Sequence, residues 1–192
     1  MSFQKSVGYQ FNRGLPGEII NDGPLRVAPF IAKLVTAGSL LRVGRAFTYV
    51  SGYTQPSVGA MADAQKATVG GAGAFAGILV RPKEQVLYGT QAGGSLAPSY
   101  DVLPESGITL MDMGIIVVAV NTLDAAVGTE AFGEGASYVS ASADPTQLGM
   151  IVATGGTIPA GVTVKPIPNS RFKVIDPIPA GGSTLAILQL TQ

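Results

Sequence analysis

Apolar residues along this chain come in short runs, and glycine or proline closes nearly every one. Leu40 to Val50 (LLRVGRAFTYV) alternates apolar and polar positions from Val43 to Phe47. Its β-branched and aromatic residues are those of a strand with one face buried. Gly44 inside it marks a bulge or a close backbone approach. Further strands are predicted at Ile78 to Val80 and Gln85 to Tyr88, around an Arg81-Pro82-Lys83-Glu84 turn. Ile108 to Met111 and Ile115 to Asn121 flank Gly114. Ala136 to Ala141, Gln147 to Ala153, Val162 to Lys165, Arg171 to Ile175 and Thr184 to Leu190 complete the set. Between them lie turn signals such as Gly155-Gly156, Pro159-Ala160-Gly161 and Pro179-Ala180-Gly181-Gly182. Ser57 to Lys66 is the best helical candidate, and it is short.

Short strands with a turn roughly every 8–12 residues describe an all-β sandwich or barrel. The 26 glycines and 13 prolines supply the turns. No strand alternates with a helical stretch, which argues against a parallel α/β architecture, and no internal repeat of fixed period is present. The fold class expected is all-β: a compact antiparallel β-sandwich or barrel over residues 31–192, preceded by an extended N-terminal arm over residues 1–30. The arm is predicted because Gln4, Gln10, Asn12 and Asn21 mix there with Gly14, Pro16, Gly17, Gly23, Pro24 and Pro29, and no period persists. It also carries Phe3, Tyr9, Phe11 and Phe30. Disordered tails are poor in aromatics, so these four point to an arm that orders by lying across a partner.

Composition narrows the function. Only 12% of the 192 residues are charged, against about 25% in an average soluble domain, while 46% are hydrophobic. No apolar run approaches the roughly 18 residues of a membrane span, and the opening MSFQKSVGYQFNRG lacks the apolar core of a secretory signal. So much apolar surface with so little charge implies obligate association, with further copies or something larger. Twelve basic residues balance twelve acidic ones, so no net field draws nucleic acid or an anionic membrane. The chain has no cysteine and no histidine. That removes thiolate nucleophiles, cysteine-held metals, serine–histidine triads and the commonest general base.

The remaining motifs point away from chemistry. Gly71 to Ala76 reads G-x-G-x-x-A, but a dinucleotide loop must open a helix. Here Ile78-Leu79-Val80 and then Arg81-Pro82 follow, and Ala64 to Val69 makes a poor preceding strand, so the glycines read as a turn leading into a strand. Gly128 to Gly133 has P-loop spacing, yet Glu134-Gly135 stand where Lys and Ser/Thr belong. Gly93-Gly94-Ser95 resembles a nucleophile elbow without a histidine to activate it. Asp101, Glu105, Asp112, Asp124, Glu130, Glu134 and Asp144 offer carboxylates, but tryptophan is absent and aromatics total 7%. A sugar-cleaving cleft with stacking rings is poorly supported, and these carboxylates read as solvated turn residues. No cofactor or metal site is expected. Arg42 and Arg45, on either side of Gly44, are candidate polar contacts at an interface rim.

Three segments, in order, resemble the capsid decoration or structural cement proteins of tailed bacteriophages. They are Val43 to Val50 (VGRAFTYV), Gly77 to Gln85 (GILVRPKEQ) and Val102 to Leu110 (VLPESGITL), the last continuing into Met113 to Val118. The opening MSFQ and the closing Arg171 to Leu190, with its Ala180-Gly181-Gly182 turn, are similar to that family as well. Pro82 and Glu105 depart from its pattern, both at turn positions.

The resemblance implies a virion component made in the host cytoplasm and placed on the outer face of the head. It would bind major capsid protein and its own copies as trimer or dimer, and carry no catalytic residues. Partner-binding roles are expected for Phe3, Tyr9, Phe11 and Phe30 as arm anchors, with Arg42 and Arg45 beside them. The alternative is a carbohydrate or host-surface binding module, which would need a cleft with stacked aromatics.

Overall fold

A computed structural model describes residues 14–20, 23–50, 66–81, 101–123, 132–153 and 158–191. Among these the regular elements are strands, apart from one 3-10 turn at Pro145–Gln147. The strands are β1 (Ile19–Ile20), β2 (Arg26–Ala32), β3 (Ala46–Tyr49), β4 (Lys66–Val69), β5 (Phe75–Leu79) and β6 (Gly107–Asn121). They continue with β7 (Ala136–Ala141), β8 (Ile151–Ala153), β9 (Thr163–Pro166), β10 (Ser170–Val174) and β11 (Ser183–Leu190).

The order β2-β4-β3-β5-β6 closes on itself because β2 also pairs with β6, which makes a small barrel. The all-β expectation holds. Pairing is antiparallel except for β2 with β4 and β6 with β8. Phe30, Ala32, Leu41, Val43, Phe47, Val69, Leu79, Ile108 and Leu110 lie in the first core. A second group, β10-β11-β6-β8-β7-β9, curls around another core that holds Ile116, Val118, Tyr138, Ile151, Phe172 and Leu188. Phe172 helps close that curl. Its N–H donates to the Glu134 carbonyl at 3.0 Å and its carbonyl accepts from Gly133 N–H at 3.0 Å. Ala46, Ile78, Val80 and Met111 of the barrel also belong to the second core, so the two cores meet at β3 and β5.

β6 serves both halves. Gly107 to Met113 pairs with β2 and β5, and Gly114 to Asn121 pairs with β11. Two strands flanking Gly114 were expected, but the chain runs through as one strand of 15 residues. The β2 register slips between Arg26–Met113 and Val27–Met111, leaving Asp112 as the extra residue of a bulge. Such a bulge bends a strand without ending it. Arg26 clamps this one, with Nε to Oδ1 at 2.8 Å and Nη2 to Oδ2 at 2.7 Å.

Two strands begin within residues 14–30. β1 pairs with β6 at Ile115 and Ile116, and β2 lies inside the barrel wall. A two-residue strand and a strand with four exposed residues leave no alternation to read. Pro29 is tolerated in β2 because Ala28, Phe30 and Ala32 face β6, so the missing N–H points to the other edge. Residues 1–13 and Ser57–Gln65 of the helical candidate lie outside the described residues, as do Gln85–Tyr88. Lys66, predicted to end that helix, begins β4.

Candidate functional site

Of the six residues predicted to meet a partner, Phe30, Arg42 and Arg45 are among the described residues. Phe3, Tyr9 and Phe11 lie outside the described residues. Phe30 is 7% exposed in β2, inside the first core, where its ring meets Tyr49 edge-on with centroids 5.7 Å apart. Within the body it packs in the core. The surrounding glycines and prolines hid a strand that the β6 pairing creates.

Arg42 is half-exposed and bridges to Asp101 through Nε at 2.8 Å and Nη2 at 3.2 Å. That hydrogen bond raises its pKa above the ordinary guanidinium value. Arg45 faces inward, and only 6% of it is exposed. Its Nη1 donates to the carbonyls of Thr146 at 2.7 Å and Leu148 at 2.9 Å, which ties the start of β3 to the turn before β8. Burial, and then repulsion from Arg42, lower its pKa to about 10. Among the described residues this cation is a clasp between the two halves. Position on a strand is visible in sequence, but whether a long side chain turns inward is a tertiary outcome.

The glycine loop is filled by protein. Gly70 N–H donates to the Ala46 carbonyl at 3.1 Å and Gly71 N–H to the Ser140 carbonyl at 2.8 Å. Lys165 Nζ caps the Ala72 carbonyl at 2.6 Å, and a side chain at Gly73 would collide with the Tyr49 carbonyl. The loop joins two strands, β4 and β5, so Lys66–Val69 is a strand after all and the glycines form a structural turn. Carboxylates, too, are engaged singly. Asp101 faces Arg42, Asp112 faces Arg26 and Glu105 faces Lys33 at 2.6 Å. Asp144 accepts from Thr146 N–H at 2.9 Å and from its hydroxyl at 2.7 Å, and the hydroxyl bond leads in holding its pKa below the usual carboxyl value. Asp124, Glu130 and Ser95 lie outside the described residues. Among the described residues no three His, Cys, Asp or Glu side chains cluster as metal ligands would.

What the described surface does offer is exposed large apolar side chains. Leu103 is 67% exposed, Phe132 63% and Val35 59%, and Leu25, Val27, Leu34 and Ile158 are exposed as well. Leu103 opens the Leu103-Pro104-Glu105-Ser106 turn, in which Glu105 takes a left-handed φ of 60° where glycine is favoured. The Lys33 contact and a Glu105 N–H bond to the Ala32 carbonyl at 2.7 Å hold it there. Low charge foretold such surface, but its position depends on which loops the barrel brings to its ends.

The described residues thus form an all-β body that exposes several large apolar side chains. From residue 3 to residue 191 the chain matches the family of structural cement proteins typified by E217 gp24 and Pam3 gp6, and it belongs to that family. Its place is thus that of a structural protein of bacteriophage capsids. Among solved structures it is similar to a chain in the capsid of Myoviridae phage XM1. The two share 14% identity with a TM-score of 0.49, covering 100% of this chain and 99% of that one. No curated protein matches.

Proposed function

We propose that this protein decorates the outer surface of a bacteriophage head, binds major capsid protein and its own copies, and cements neighbouring capsid subunits. Family membership across residues 3–191 carries the reading. The exposed apolar side chains of Val35, Leu103 and Phe132 support it as partner-facing surface. Residues 1–13, with Phe3, Tyr9 and Phe11, supply the arm, since interface energy concentrates in buried aromatics. Each copy contributes about 25 cal/mol per Å² of apolar surface removed from water, less the entropy of association and of ordering the arm. Icosahedral repetition multiplies a modest contact into a large rise in the heat needed to open the shell. The protein acts without catalysis in this reading.

The test is co-sedimentation of the purified protein with undecorated heads of its own phage, followed by heating to rupture. Stoichiometric binding with a higher rupture temperature is expected. Heads that sediment without it would overturn the proposal.

A further inference from the structure

The face of the β6–β11 pair turned away from the second core is apolar. Paired residues share a face, and successive residues alternate. Ile116, Val118, Ala186 and Leu188 point into the second core. The opposite face carries Ile115, Val117 and Ala119 from β6, facing Gln189, Ile187 and Leu185 of β11. A half-buried antiparallel sheet ordinarily turns polar residues outward. Instead five apolar side chains lie together, with Gln189, Asn121 and Ser183 at their margins. Val117 is only 1% exposed yet belongs to neither core. Ile115, Ala119, Leu185 and Ile187 are half-buried and likewise outside both cores.

The chain itself shows what reaches this face. Leu15-Pro16-Gly17-Glu18 is a tight turn, closed by Glu18 N–H to the Leu15 carbonyl at 3.0 Å and by Leu15 N–H to Glu18 Oε2 at 2.9 Å. It reverses the backbone so that Gly14 sits against Val117, where an added Cβ would be 3.5 Å from Val117 Cγ2. The described chain therefore begins, at Gly14, against Val117 in the middle of the apolar face. An extended residue spans about 3.5 Å, so Phe11 reaches about 10 Å from Gly14 and Tyr9 about 17 Å. The stretch from Ile115 to Ala119 is about 14 Å long at strand rise.

We propose that this face is the seat of the chain's own Tyr9–Phe11 segment, whose rings pack on Ile115, Val117, Ala119, Leu185 and Ile187. The inference rests on the aromatic arm of the proposed function and divides its labour. Tyr9 and Phe11 fasten the arm to its own body. Phe3, at about 38 Å of reach, extends to a neighbouring subunit.

The chain lacks cysteine, so engineered pairs report cleanly. Full-length protein carrying Phe11→Cys with Ile187→Cys, and separately Tyr9→Cys with Ala119→Cys, is treated with a short bismaleimide and mapped by peptide mass. Circular dichroism checks the fold first. Both pairs should link within one chain, several-fold more than a Phe11→Cys, Phe132→Cys control. Covalent dimers linked through the same positions would overturn the proposal by showing the arm of a second copy on the face. Linking no greater than the control in both pairs would also overturn it. Head co-sedimentation of the parent protein keeps the two readings separable: its failure to bind counts against cementing alone.

Discussion

Replacing Arg45 with methionine tests whether a buried cation holds the two halves together. Methionine keeps most of the aliphatic stem while removing the charge and both hydrogen bonds to Thr146 and Leu148. Hydrogen bonds from a charged group contribute about 1.5–3 kcal/mol each, so about 3–6 kcal/mol is lost. Against that, a guanidinium whose pKa is lowered to about 10 bears about 3 kcal/mol of disfavour for its charged form, which methionine relieves. The difference leaves a destabilisation of about 2 kcal/mol, because the two carbonyls lose their partner. For a chain of this length that is a drop in Tm of about 4–8 °C, read by circular dichroism against the parent protein. Arg45→Lys should fall between the two, since an ammonium is a single point charge without the planar fork. A Tm for Arg45→Met at or above the parent's would refute the reasoning. It would mean that charge burial outweighs the clasp, as occurs at some buried ion pairs.

Gly149→Ala should destabilise by about 2–4 kcal/mol, since φ is +73° and the new Cβ would lie 2.6 Å from the Ala46 carbonyl oxygen. Gly161→Ala has a similar φ of +84° but open space, so only about 1–2 kcal/mol is expected; urea midpoints in equal ranges would show that the close packing at Gly149 is not what counts. Phe30→Ala should cost about 3–5 kcal/mol of folding stability, and an unchanged urea midpoint would return Phe30 to the arm. Asp144 has a folded pKa below its ordinary 3.8, so its contribution is present above that value and lost as pH falls through the folded one. Asp144→Asn should therefore flatten the fall of Tm with pH below about pH 4, and an unaltered acid limb would contradict this. Alanine at Phe3, Tyr9 and Phe11 together should leave the β body folded and weaken head binding, measured by co-sedimentation.

The strands legible in sequence are those whose pattern is local. Ala136–Ala141 is predicted to the residue, and the closing hairpin to within one or two, because alternation and flanking turns need no knowledge of the partner strand. β1, β2 and β4 escaped. They are short or exposed along much of their length, and pairing with β6 or with one another makes them strands. Absences in composition were equally local: without histidine or cysteine, thiolate nucleophiles and serine–histidine triads are removed before any fold is known. Glycine and apolar spacing carried the resemblance that family membership bears out.

Direction and proximity were decided only in three dimensions. Arg42 and Arg45 stand three residues apart, yet one bridges to Asp101 at the surface while the other turns inward to Thr146 and Leu148. Neither choice is encoded in the spacing, because the acceptors come from segments far along the chain. The bulge at Asp112 likewise turns two expected strands into one that both cores share. Sequence by itself determined that this chain is β-rich, uncharged overall and built for contact, since those properties sum over residues. Which apolar residues were spent on the cores and which remain outside them, such as Val117, Ile187 and Leu103, followed from barrel closure, a property of pairing between distant strands.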